Sequence, residues 1–112
     1  EYIVTQMFFD NERFFSLVES CRKIGITVPI IPGLKPISIK KHLSLLPQTF
    51  KVDIPSDLVK EIEKCQTNRA VRELGVQWAI KQSKELIAAA VPVIHFFTMG
   101  KSDNIVAILK GL

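Results

Sequence analysis

Apolar residues fall along the chain in short continuous runs and in longer stretches with a helical period. From Tyr2 to Phe9 the chain reads YIVTQMFF, rich in β-branched and aromatic residues, and it ends at Asp10-Asn11, side chains that cap helix starts. Near-continuous apolarity marks a strand covered on both faces, as in parallel sheets. Phe14, Phe15, Val18 and Cys21 then recur at a helical period up to Ile24, and Gly25 stands where a helix C-cap belongs. Thr27 to Ile31, TVPII, predicts a second short buried strand, broken by Pro32-Gly33. Together these form a β-α-β unit whose connection is expected to be right-handed.

A helical region follows. Ser38 is placed to cap a helix that runs to about Leu46 and is ended by Pro47. Pro55 with Ser56-Asp57 opens another, with Leu58, Ile62 and Cys65 on one face, and Thr67 opens the longest, through Val71, Leu74, Trp78 and Leu86 to about Ala90. Val91 to Phe97, VPVIHFF, predicts a third apolar strand, and Asp103 to Leu109 a terminal helix. The order β-α-β-α-α-α-β-α predicts one α/β domain over residues 1–112 with parallel strands. Three such strands expose ladder edges, so the sheet is expected to be completed by another chain or by further strands. Glu1 opens straight into the first strand without a Met, which adds the expectation that the chain is cut from something longer.

Composition narrows this picture. At 112 residues, 47% hydrophobic and 23% charged, the chain is long enough for one modest core and has the balance of an ordinary globular domain. Its longest apolar run, Ile87 to Ile94, is far short of the roughly 20 residues that cross a bilayer, so no membrane span is expected. Cys21 and Cys65 have no CxxC or Cys/His cluster around them and are expected to be reduced thiols of a cytoplasmic protein. The net charge of +4 invites a nucleic-acid reading, but the lysines are scattered without interleaved aromatics, so a solvated surface is expected instead.

Several residues stand out against the apolar background. Gln6 lies near the carboxyl end of the first strand, where ligands collect in parallel α/β folds; it either points into a ligand pocket or is satisfied by nearby backbone or Thr5. Pro32-Gly33-Leu34-Lys35-Pro36 predicts a stiff loop at the same end, in which the glycine would allow a ligand to approach. It carries neither GxGxxG nor GxxxxGK[ST]. His95 is read as a satisfied core histidine and His42 as lying on an exposed helical face, and no ligand set for a metal is apparent. Asp10 reads as a cap, and Glu61 and Glu63 as a solvated helix face, so no catalytic carboxylate pair is formed.

Three segments taken together carry a resemblance. Val4-Thr5-Gln6-Met7-Phe8-Phe9-Asp10, Val28-Pro29-Ile30-Ile31-Pro32-Gly33-Leu34-Lys35-Pro36-Ile37 and Ile94-His95-Phe96-Phe97-Thr98 resemble, in order and spacing, the methylenetetrahydrofolate reductase family. The resemblance covers nearly all of the chain. It implies a flavin-containing TIM (β/α)8 barrel that uses NADH or NADPH with FAD to reduce 5,10-methylenetetrahydrofolate to 5-methyltetrahydrofolate, for methionine synthesis. The three strands would be the sixth, seventh and eighth of that barrel, incomplete in this chain. Gln6 matches the family glutamine that meets the folate pterin and the nicotinamide in turn, and is expected to bind both substrate and cofactor. Leu46 falls near an aromatic that packs on the bound ligand in some members, so apolar contact is kept and stacking is not.

Phe97, Met99 and Lys101 stand where the family commonly has Tyr, Leu and Arg, and are the remaining substrate-binding candidates. Phe97 lacks the hydroxyl, and Lys101 keeps the charge without the bidentate fork. The family's catalytic carboxylate and most flavin contacts belong to earlier strands. The expectation is therefore a chain that is inactive alone, part of an enzyme expected to be a homo-oligomer; a free-standing half-barrel assembling through its edges is the alternative.

Overall fold

Three parallel strands, β1 (Ile3–Met7), β2 (Ile30–Leu34) and β3 (His95–Phe96), form one sheet in the order β1-β2-β3 among the described residues. The computed structural model describes residues 1–98 and 102–112. Helix α1 (Asn11–Lys23) crosses from β1 to β2; α2 (His42–Phe50), α3 (Ser56–Glu63) and α4 (Asn68–Ala88) separate β2 from β3; α5 (Asp103–Gly111) closes the chain. This is the expected element order.

Local chemistry explains most boundaries. Asp10 accepts the Glu12 N–H at 3.0 Å to start α1, and Thr67 accepts the Ala70 N–H at 3.2 Å to start α4. Gly25, at φ 90°, turns the chain out of α1 in a conformation that costs other residues energy. Lys40, just before α2, donates through Nζ to the Glu63 and Cys65 carbonyls, each at 3.1 Å, placing a cation at the carboxyl end of α3.

Four expectations are corrected. The second strand runs from Ile30 to Leu34, through Pro32-Gly33 instead of stopping before them. Pro32 has the parity of Leu34, whose carbonyl accepts the Phe97 N–H at 2.8 Å on the β3 side. Its missing N–H therefore falls where β3 is only beginning, opposite Gly33, and little ladder is lost. Pro47 does not end the next helix but lies inside it, and the chain leaves α2 at Lys51 in a left-handed conformation, φ 54°. Ser38 does not cap that helix, which starts at His42 without a side-chain cap. The third strand is reduced to His95–Phe96.

The core falls into three clusters. Met7, Phe9, Ile37, Leu46, Leu58, Ile62 and Val71 join β1 to α2, α3 and α4. Phe14, Ile30, Leu34 and Leu86 pack α1 and the carboxyl half of α4 on β2, and Ala79, Ile80 and Ile108 join α4 to α5. At Gly75 an added Cβ would lie 1.8 Å from the Ile37 carbonyl oxygen, so α4 packs backbone to backbone against the segment that leaves β2. Buried amides fix the start of α1 to α4: Asn11 donates to the Gln82 carbonyl and Gln82 donates back to Asn11 Oδ1, both at 3.1 Å.

Cover is uneven across the sheet. Every residue of β2 is buried or half-buried, whereas Ile3 and Val4 of β1 are exposed, and Tyr2 beside them is 66% exposed. No helix among the described residues is long and apolar enough to cross a membrane.

Candidate functional site

Parallel strands bring their carboxyl ends to one side of the sheet, where Gln6-Met7, Leu34-Lys35 and Phe96-Phe97 lie on neighbouring strands. The β1–β2 register slips by one residue there: Val4 pairs with Ile31 and Met7 with Gly33, so three steps along β1 match two along β2. Side chains supply the bonds that the ladder loses. Thr5 Oγ1 accepts the Gly33 N–H, and Gln6 Oε1 accepts the Met7 N–H, each at 3.0 Å. An extra strand residue beside a site re-aims a side chain; here the Gln6 side chain is left exposed, with its Nε2 unpartnered among the described residues.

Gly33 does not open space for a ligand as expected. A Cβ there would lie 2.6 Å from both the Thr5 carbonyl oxygen and the Phe97 ring, so the space is filled by protein. Phe97 leans into that gap, is half-buried against the first core cluster and meets the His95 ring edge-on, with centroids 4.7 Å apart. His95 itself is exposed rather than a core histidine, because β3 is too short and too near the edge of the sheet to cover it. Leu46 is 1% exposed, within the core cluster that includes Met7 and Phe9. Met99 and Lys101 lie outside the described residues.

Two groups that were not among the candidate binding residues lie at this end. His42, expected on an exposed face, is 9% exposed. Its Nδ1 accepts the Ser38 N–H at 3.2 Å, which puts the proton of the neutral ring on Nε2. Burial and, second, the positive charge of Lys35 push its pKa down to about 4. Lys35 is 7% exposed, and burial holds its ammonium below the usual lysine range. The available signal was a lysine between Leu34 and Pro36 in an otherwise apolar segment. Lys35, His42, Arg72, Phe97 and Thr98 line a cleft of about 390 Å³; Gln6 is not part of its lining. Among the described residues no group of three His, Cys, Asp or Glu side chains could hold a metal ion.

A parallel α/β domain with polar side chains and a cleft at the carboxyl ends of its strands is of the kind that binds small ligands there. Residues 1–112 match the sequence model of the methylenetetrahydrofolate reductase family, and the chain belongs to that family. It is 33% identical over 113 residues to methylenetetrahydrofolate reductase (NADH) 1 of Zea mays, covering all of this chain and 19% of that protein. A probable methylenetetrahydrofolate reductase (NADPH) of Caenorhabditis elegans is 34% identical, over 99% of this chain and 17% of that protein. The 5,10-methylenetetrahydrofolate reductase of Salmonella typhimurium is 32% identical over 97% of this chain and 37% of its own length. The chain thus spans well under half of each. Among solved structures, an uncharacterized Clostridium thermocellum protein described as binding two copies of 5-methyl-5,6,7,8-tetrahydrofolic acid superposes with a TM-score of 0.58 over 98% of this chain and 41% of that one, at 18% identity; that likeness concerns the fold.

Proposed function

We propose that this chain is the carboxyl-terminal three β/α units of a TIM (β/α)8 barrel in an FAD-dependent methylenetetrahydrofolate reductase, reducing 5,10-methylenetetrahydrofolate to 5-methyltetrahydrofolate with NADH or NADPH. The observation that carries this reading is a family match along residues 1–112 combined with coverage of only 17% to 37% of the relatives named above. A barrel of this kind takes about 250 residues. The bare apolar β1 supports the reading physically, since β-branched residues on an open edge call for a neighbouring strand. Relatives named for NADH and for NADPH both match, so the dinucleotide is given as either.

The residues here fit only a part of the flavin's needs. Gln6 offers an exposed amide, suited to the edge of a heterocycle, and the space at Gly33 is closed by Phe97, so this end does not cradle a whole cofactor. When bound in such an enzyme, FAD relays a hydride from the dinucleotide to the folate. Gln6, Phe97, Met99 and Lys101 are the proposed substrate-binding residues, with Gln6 also touching the cofactor; Leu46, buried in the core cluster with Met7 and Phe9, supports this end from within rather than touching a ligand. By itself the chain is proposed to be inactive. Cys21 and Cys65 are both free, which fits a cytoplasmic protein.

A chimaera in which this chain replaces its matching segment in the Salmonella typhimurium reductase tests the proposal. Methylenetetrahydrofolate-dependent oxidation of NADH or NADPH is expected. A chimaera that folds and holds flavin yet turns over neither dinucleotide would overturn it. The exposed edge of β1 also favours a second reading, a half-barrel that assembles with copies of itself without catalysis. A stable homo-oligomer of this chain, together with an inactive chimaera, would favour that one.

A further inference from the structure

A lysine with a buried stem normally either has a carboxylate beside its ammonium or keeps the ammonium in water. Lys35 is 7% exposed and has no hydrogen-bond or ion-pair partner among the described residues, where the fully buried side-chain polar atom without a partner is Ser83 Oγ; the stem of Lys35 is therefore buried while its ammonium keeps contact with the water of the cleft. Its charge is felt by His42, and both residues line the 390 Å³ cleft at the carboxyl end of the sheet. The Ser38 N–H occupies His42 Nδ1, so the ring presents a donor, Nε2–H, and no second acceptor. The other charged side chains in the described lining are Arg72 and Asp103, already paired with each other at 3.8 Å; Arg72 also donates to Asn104. What remains uncompensated in the cleft is one cation with a neutral donor beside it.

We propose that Lys35 and His42 form a subsite for an anionic oxygen group, a carboxylate or a phosphate, carried by a ligand of this cleft. Lys35 supplies the charge and His42 Nε2 a fixed donor. An anion placed there gives the ammonium the partner that the protein withholds, and a charge-assisted bond in a half-enclosed cleft is stronger than its surface counterpart. The inference stands on these two residues and the cleft, and does not depend on the reductase reading. Under that reading the two sources of such a group are the glutamyl carboxylate of a folate and a phosphate of the dinucleotide.

The test is a titration of the protein with inorganic phosphate and, separately, with glutarate, following the His42 ring resonances by NMR. At least one probe should shift them saturably; response to glutarate alone assigns a carboxylate, to phosphate alone a phosphate, and to both a general oxyanion site. Lys35→Met should weaken binding about tenfold or more, the effect of losing a hydrogen bond to a charged group, while Lys35→Arg should retain it. Lys35→Met keeps the length and the buried apolar stem of the side chain, so its fold should survive; if it does not, Lys35→Gln carries the same test. Unmoved His42 resonances with both probes, or equal binding by a folded variant without the charge, would overturn the proposal.

Discussion

β1 and β2 are neighbours in one sheet, run in the same direction and are written in similar apolar residues, yet only β2 is covered. Leu34 of β2 has no exposed surface, while Ile3 and Val4 of β1 face water on an open edge. Both sequences describe strands buried on two faces. The difference lies in what surrounds them: β2 has β1 and β3 beside it and the helices packed around it, and β1 has a partner on one side only. An apolar strand that its own chain leaves bare reports the environment for which the sequence is suited, one with further structure against β1.

The sharpest way to break that comparison is to cut the same amount from each strand. Leu34→Ala should destabilise the fold by about 4 kcal/mol and Ile3→Ala by less than about 1 kcal/mol, measured by denaturant unfolding. Equal losses would mean that β1 is already covered. Next in size is the contact behind β2. Gly75→Ala places a methyl group against the Ile37 backbone and should cost about 3 kcal/mol in the same measurement, because neither backbone can yield cheaply.

An effect of at most the same size concerns pH at the end of β2. The folded His42 has a pKa near 4 against an ordinary 6.5, so the unfolded chain takes up the proton first as pH falls. His42 therefore leaves stability intact above about pH 6.5 and removes up to about 3 kcal/mol on the way down to pH 4, after which the folded state is protonated as well. Unfolding followed across this range should lose that limb in His42→Asn, whose side-chain oxygen can still accept the Ser38 N–H.

Much of the architecture was legible because local chemistry set it. Asp10 and Thr67 cap the helices they were expected to open, Gly25 adopts the positive φ of a helix exit, and the element order holds throughout. Pro32 and Pro47 misled because the cost of a missing N–H depends on what faces it. One falls where β3 is just starting, and the other lies in a nine-residue helix held by Leu46 in the core. His42 was expected on an exposed helical face, yet it is buried at the start of α2 within the field of Lys35, a tertiary contact that helical spacing does not show. Gln6 could be picked out as a polar residue in an apolar strand, but its exposure follows from the slipped register, which no local pattern encodes.

The central proposal is that these residues are one part of a catalytic barrel and do not make a flavin site alone. It is tested most directly by adding FAD to the purified chain and recording its visible absorption and its oxidation of NADH and NADPH. The account predicts no stoichiometric flavin complex and no dinucleotide oxidation. A yellow one-to-one complex that oxidises either dinucleotide would contradict it.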